Sequence, residues 1–188
     1  LKALLGGGGR GARVVHKGED LEAAYAACAS EARKAFGSAE LYIEEYLPRA
    51  RHIEVQILGD GQGGLIHLGE RDCTLQRRHQ KLVEFAPAPG LAAETRDALC
   101  RDALKMAAYV AYRGAATFEF LLDADKGDRY WFMEVNPRIQ VEHTVTEEVT
   151  GVDLVQAQLR IAAGETLADI GLSQDQVSQT SKFAVQLR

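Results

Sequence analysis

Cysteine is scarce in this chain and is not spaced for metal binding. Cys28, Cys73 and Cys100 stand far apart, and no CxxC pair occurs. An odd count without such a pair argues against a disulfide scaffold and fits a reducing compartment. Positive charge is also in deficit. The formal net charge of -5 gives no general attraction to nucleic acid or to an anionic membrane. No apolar run approaches the length that spans a bilayer, and no signal peptide is visible. There is no internal repeat, no low-complexity segment and no Walker A motif, because no GK[ST] follows a glycine run.

What is present is core-forming material. Hydrophobic residues make up 46% and charged residues 26% of the 188 positions, enough for a packed domain or two small ones. Residues 1–5 and 12–15 read as strands around Gly6-Gly7-Gly8-Gly9-Arg10-Gly11. Leu21, Tyr25, Cys28 and Ala32 recur at helical spacing and predict a helix over 19–36, stopped by Gly37. Residues 41–47 read as a strand ending at Pro48, and 51–58 with 65–68 as a hairpin about a glycine-rich turn. Residues 71–81 look charged and irregular. Leu99, Ala103, Met106 and Val110 mark a helix over 92–112. Strands at 115–122 and 130–135 follow, then a helix over 152–163, a polar linker over 173–181 and a last strand over 183–188. The class predicted is α+β with largely antiparallel sheet, in two lobes joined near residues 47–48. Both ends run into strands, so the chain reads as a fragment truncated at both ends.

Chemistry concentrates after one apolar strand, in Glu134-Val135-Asn136-Pro137-Arg138-Ile139-Gln140-Val141-Glu142-His143. Like charges crowded at a buried strand end are costly unless a cation or an anionic ligand compensates them. Strand alternation puts Glu119 with Thr117 and Leu121, and Glu134 with Tyr130, Phe132 and Asn136. A hairpin symmetric about Lys126-Gly127 sets Glu119 opposite Glu134. Two carboxylates and an amide oxygen are hard ligands suited to magnesium; two unrelated acids on a solvated face are the bland alternative. Arg138 can hold a planar anion in two-pronged fashion, or a nearby Glu. Glu142 could take a proton from a weak acid. His143 reads as a structural histidine and Cys73 as a packing residue. Lys2 beside the glycine loop suits triphosphate binding; the same pattern equally fits a flexible hairpin tip.

Taken together, these segments resemble the biotin carboxylase component of biotin-dependent carboxylases of the acyl-CoA or pyruvate carboxylase type, which are ATP-grasp enzymes. The resemblance rests on GGGGRG after Lys2-Ala3, RHIEVQ from Arg51, ERDCTLQRRHQK from Glu70, EVNPRIQVEHTVTE from Glu134 and TGVDLVQAQLRIAAG from Thr150. It covers essentially the whole chain. It implies an ATP-grasp fold with a glycine-flap subdomain over 1–47 and a catalytic subdomain over 48–188, incomplete at its C-terminus. It implies that Lys2, Gly8 and Gly9 contact ATP phosphates. Glu44, Glu45 and Leu47 would form the adenine hinge, with Leu121 beneath the base, and His52, Gln76 and His79 would reach the ribose region. Glu119, Glu134 and Asn136 would hold magnesium or manganese. Lys81, Arg138, Gln140 and Val141 would surround bicarbonate, Glu142 would be the base, and Arg188 would sit near bicarbonate and biotin. The implied partners are a biotin carboxyl carrier and a carboxyltransferase, with homo-oligomerisation in the full-length protein. The implied location is the cytoplasm, or the mitochondrial matrix in a eukaryote.

Ala12 departs from the family's usual methionine after GGGGRG. The family's N-terminal lobe, with a further ATP-contacting lysine, is missing, so the piece alone is expected to turn over poorly. Two other functions compete: another bicarbonate-activating ATP-grasp ligase such as a carbamoyl phosphate synthetase, and a non-catalytic nucleotide-binding module. QRRHQK and QVEH favour the first reading, and intact Glu119, Glu134, Arg138 and Glu142 disfavour the module.

Overall fold

The computed structural model describes residues 1–6, 11–16, 18, 20–127, 129–177 and 182–188. Gly8 and Gly9 lie outside the described residues. In chain order the elements are β1 (Lys2–Ala3), α1 (Leu21–Phe36), β2 (Leu41–Tyr42), β3 (Ala50–Asp60), β4 (Leu65–Arg77), β5 (Gln80–Ala86), α2 (Ala93–Tyr109), β6 (Arg113–Asp123), β7 (Tyr130–Asn136), α3 (His143–Thr150), α4 (Leu154–Ala162), α5 (Gln174–Val177) and β8 (Ala184–Leu187). They fall into two compact units, residues 1–48 and 49–188.

The first unit is a small ribbon and a helix. β1 and β2 pair antiparallel, Lys2 opposite Tyr42 and Ala3 opposite Leu41. α1 starts where Asp20 accepts from the Ala23 N–H at 3.0 Å, and it ends at Gly37, whose φ of 77° suits a residue without Cβ. Among the described residues of this unit, the buried apolar ones are Ala3, Cys28 and Ala32. The strand predicted over 12–15 is reduced to one bridge between Ala12 and Lys2. The strand predicted over 41–47 stops at Tyr42. A two-residue β1 offers nothing longer to pair with.

The second unit is a six-stranded antiparallel sheet in the order β7-β6-β3-β4-β5-β8. One face packs Ile53, Val55, Ile57, Phe118, Phe120 and Leu122 beneath Leu99, Ala103 and Ala107 of α2. The other face changes character along the strands. The pairs run Leu58 with Ala115, Gln56 with Thr117, Glu54 with Glu119, and His52 with Leu121. The apolar end is covered by Leu154, Ala157 and Ile161 of α4. The charged end lies on the side where Thr146 of α3 meets Arg71. Alternation with period two thus places one apolar and one polar row on the same strands.

Four local features differ from the sequence reading, one being the short helix α5 inside the residues 173–181 read as a polar linker. Residues 71–81 are not irregular: β4 runs to Arg77, and Arg78-His79 make a two-residue turn into β5. The helical region near 152–163 is preceded by a separate helix, α3, ended by Gly151 at φ 75°. The β6–β7 pairing carries a register shift between Glu119 and Phe120. Glu119 is opposite Glu134 as predicted, but Tyr130 and Phe132 make edge-on ring contacts with Phe120 in the core, so they do not share the face of Glu134. An extra residue, Met133, intervenes and switches the facing.

Candidate active site

The polar row gathers on Lys81. Its ammonium donates to Glu54 Oε2 at 2.5 Å, Glu142 Oε1 at 2.6 Å and Glu119 Oε1 at 3.0 Å. Burial would lower the Lys81 pKa, but Glu54, Glu119 and Glu142 outweigh it and hold the amine firmly protonated. Glu119 is nearly fully enclosed and also accepts from Asn136 Nδ2 at 2.9 Å and Gln140 Nε2 at 3.1 Å, and pairs with His52 Nε2 at 2.9 Å. Burial would raise its carboxyl; His52 and Lys81 overcome that and bring it down to about 2. Gln76 fixes the other ring nitrogen of His52 at 2.7 Å. His52, Gln76, Lys81, Glu119, Asn136, Gln140 and Glu142 therefore form one linked cluster, drawn from residues that the sequence reading had divided among ribose, metal and bicarbonate sets.

Glu142 stands at the N-terminus of α3 and is enclosed. Its Oε1 takes Lys81, and its Oε2 takes Arg188 NH2 at 2.5 Å. The same Arg188 nitrogen lies 2.8 Å from Glu84 Oε1, without the angle of a hydrogen bond, so neither Glu84 oxygen has a hydrogen-bond partner among the described residues. Burial pushes the Glu84 carboxyl up despite Arg188. Gln140 likewise keeps its Oε1 enclosed without a partner.

Glu134 lies directly across from Glu119, and its side chain makes no hydrogen bond or ion pair among the described residues. Among the described residues, Asn136 Oδ1 receives only a 3.4 Å contact from Arg138 NH2. Glu119, an uncompensated Glu134 and this loosely held amide oxygen are a hard oxygen set, which fits a divalent cation such as magnesium. Arg138 is exposed, with its second contact at 3.1 Å to the Ile139 carbonyl, so its guanidinium faces outward. Val141 is exposed beside it, and Leu121 is half-buried next to His52. His79 is exposed at the hairpin tip and is not joined to Lys81. In the first unit, Lys2 lies 3.5 Å from Glu44 and over the Tyr42 ring; Glu45 is exposed and Leu47 half-buried.

Two members were not legible as site residues. Glu54 and Arg71 are both fully enclosed and bonded at 2.6 Å. Their signal was alternation: Glu54 shares its strand face with His52 and Gln56 in RHIEVQ. Cys73 is a packing residue as read; burial first, and Glu54 next, push its thiol far up.

Residues 1–170 match the family model described as carbamoyl-phosphate synthase L chain, ATP binding domain. Pyruvate carboxylase of Aspergillus niger is 55% identical over all of this chain, which spans 16% of that protein. The biotin carboxylase of Campylobacter jejuni, solved in a complex with β,γ-ATP, superposes with a TM-score of 0.92 at 46% identity, covering all of this chain and 40% of that one. The biotin carboxylase domain dimer of 2-oxoglutarate carboxylase from Hydrogenobacter thermophilus, solved with MgADP, ADP and bicarbonate, superposes with a TM-score of 0.91 at 46% identity, again covering all of this chain and 40% of that one.

Proposed function

The chain belongs to the carbamoyl-phosphate synthase L chain ATP-binding domain family and has the ATP-grasp fold of biotin carboxylases, and from that premise we propose that it carries out ATP- and bicarbonate-dependent carboxylation of carrier-bound biotin. The observation that carries this reading is Glu142 held between two cations, Lys81 on one oxygen and Arg188 on the other. A base so placed has two positive groups beside it that can receive an anion. Bicarbonate enters between Glu142 and these cations, with Arg138, Gln140 and Val141 around it. Glu142 takes its proton. The resulting oxyanion attacks the γ-phosphorus of ATP, the bond to the β-phosphate oxygen breaks, and ADP leaves. The carboxyphosphate formed breaks down to phosphate and carbon dioxide; the released phosphate takes the proton of the ureido nitrogen of biotin, and that nitrogen then bonds to the carbon dioxide. Arg138, outward-facing and weakly bonded, holds the biotin enolate.

Glu119, Glu134 and Asn136 would hold the magnesium or manganese that offsets charge on the phosphoryl oxygens. Lys2, Gly8 and Gly9 of the flap subdomain over residues 1–47 would contact the phosphates. Glu44, Glu45, Leu47 and Leu121 hold adenine, and His52, Gln76 and His79 the ribose. The partners are a biotin carboxyl carrier and a carboxyltransferase, which chooses the final acceptor. The compartment is the cytoplasm, or the mitochondrial matrix in a eukaryote.

The test is ADP release by the full-length protein with bicarbonate, with and without free biotin, in wild type and Arg138→Ala. Release that needs bicarbonate, rises with biotin and is lost in the variant supports the reading. Cleavage indifferent to biotin points to another bicarbonate-activating ligase, and none at all to a nucleotide-binding module.

A further inference from the structure

Arg71 is the largest fully enclosed side chain among the described residues, and the proposed reaction gives it no task. A guanidinium without solvent is costly unless most of its donors are used, and four of the five are. Here Nε donates to Glu54 Oε1 at 2.6 Å, NH1 to Gln56 Oε1 at 2.8 Å and to Thr146 Oγ1 at 2.8 Å, and NH2 to Thr117 Oγ1 at 3.2 Å. These partners come from β3, β6 and α3, while Arg71 itself is on β4. One side chain therefore ties three strands to one helix.

The partners have a shared consequence. Glu54 gives Oε1 to Arg71 and Oε2 to Lys81, so the fork that fixes Glu54 also fixes where the Lys81 ammonium rests. Thr146 is four residues after Glu142. That spacing puts the two on one side of the first turn of α3. Beside the hydrogen bond from Thr144 to Gln186 of β8, two rungs join this helix to the site strands β4 and β5. Glu142 to Lys81 at 2.6 Å is one, and Thr146 to Arg71 at 2.8 Å is the other. The first rung must open for bicarbonate to reach Glu142. The second touches no reacting group and can stay closed.

We propose that Arg71, through Glu54 and Thr146, is a positioning residue that holds the gap between Lys81 and Glu142 at the width bicarbonate requires. This rests on the biotin carboxylase reading above. A lysine at 71 keeps the charge but has no planar fork, so it cannot serve Glu54, Gln56, Thr146 and Thr117 together. Losing the second rung alone lets the start of α3 drift while the core stays intact.

The test uses the full-length protein and separates the Michaelis constants for bicarbonate and MgATP. Thr146→Val keeps shape and removes the hydroxyl; Thr146→Ser keeps the hydroxyl. We expect Thr146→Val to raise KM for bicarbonate about tenfold, the effect of one misplaced hydrogen-bonded group, with KM for MgATP within about twofold. Thr146→Ser restores the wild-type value. Arg71→Lys moves KM for bicarbonate in the same direction and further; if it fails to fold, the threonine pair still decides. A Thr146→Val enzyme with both constants unchanged and only a lower kcat would show that the rung serves folding alone and overturn the proposal, as would equal rises in both constants. A wild type without bicarbonate-dependent ADP release would remove the functional reading and this inference with it. A wild type that has it, with silent variants, would remove only the inference.

Discussion

Glu54 and Glu119 face each other across β3 and β6, with Lys81 bonded to both. Like charges directly opposite are destabilising unless a cation lies between them. Burial raises both carboxyls, yet Arg71 and Lys81 hold Glu54 below the usual range, and His52 and Lys81 bring Glu119 to about 2. A depressed folded pKa contributes stability that is complete above the unfolded value and lost as pH falls through the folded one. For Glu119 that window runs from the ordinary glutamate value of 4.5 down to about 2. The shift corresponds to on the order of 3 kcal/mol. Urea midpoints measured from pH 6 to pH 3 should fall in wild type, and fall less steeply in Glu119→Gln. Parallel slopes would mean that Lys81 and His52 do not stabilise the ionised form. Glu119 and Arg71, which brace this row, differed in legibility. Glu119 was found because the hairpin register sets it opposite Glu134, a short-range property. Arg71 was hidden in a run of charges that reads as a solvated loop, and only the long-range pairing of β4 with β3 encloses it.

At the scale of elements, the β4–β5 hairpin turns on Arg78 and His79, both left-handed at φ 52° and 62°. Arg77 and Gln80 pair directly, so the turn has two residues. Such turns favour Asn-Gly, because a side chain at positive φ is strained, by roughly 1 kcal/mol per residue. The double change Arg78→Asn with His79→Gly should raise the thermal midpoint by a few degrees, read by circular dichroism; a lower midpoint would show that these side chains make compensating contacts. Sequence reasoning missed this turn because neither residue is a usual turn former. It missed α3 for a related reason. His143-Thr144-Val145-Thr146-Glu147-Glu148-Val149-Thr150 is rich in β-branched residues, which have modest helix propensity. Burial of Val145 and Val149, four apart, overrides that preference. The long periodic helices and the β3 and β6 strands were legible because their apolar spacing is regular, whereas in β7 the extra residue Met133 hid which side chains share a face.

For the whole molecule, the two units differ in what they can bury. Residues 49–188 enclose two large apolar clusters and a polar row, whereas residues 1–48 enclose Ala3, Cys28 and Ala32. Short segments bury too small a share of their surface to be stable alone. The catalytic proposal therefore stands on the larger unit, where Lys81, Glu142, Arg188, Glu119 and Glu134 gather around one sheet face. Its central claim is that bicarbonate, made reactive by Glu142, is the group that attacks ATP. The measurement that tests this most directly is turnover of the full-length protein in bicarbonate labelled with oxygen-18. The account predicts label in the inorganic phosphate, delivered by the bond from bicarbonate oxygen to γ-phosphorus, and loss of that labelled product in Glu142→Gln. Phosphate that carries oxygen only from water would contradict it.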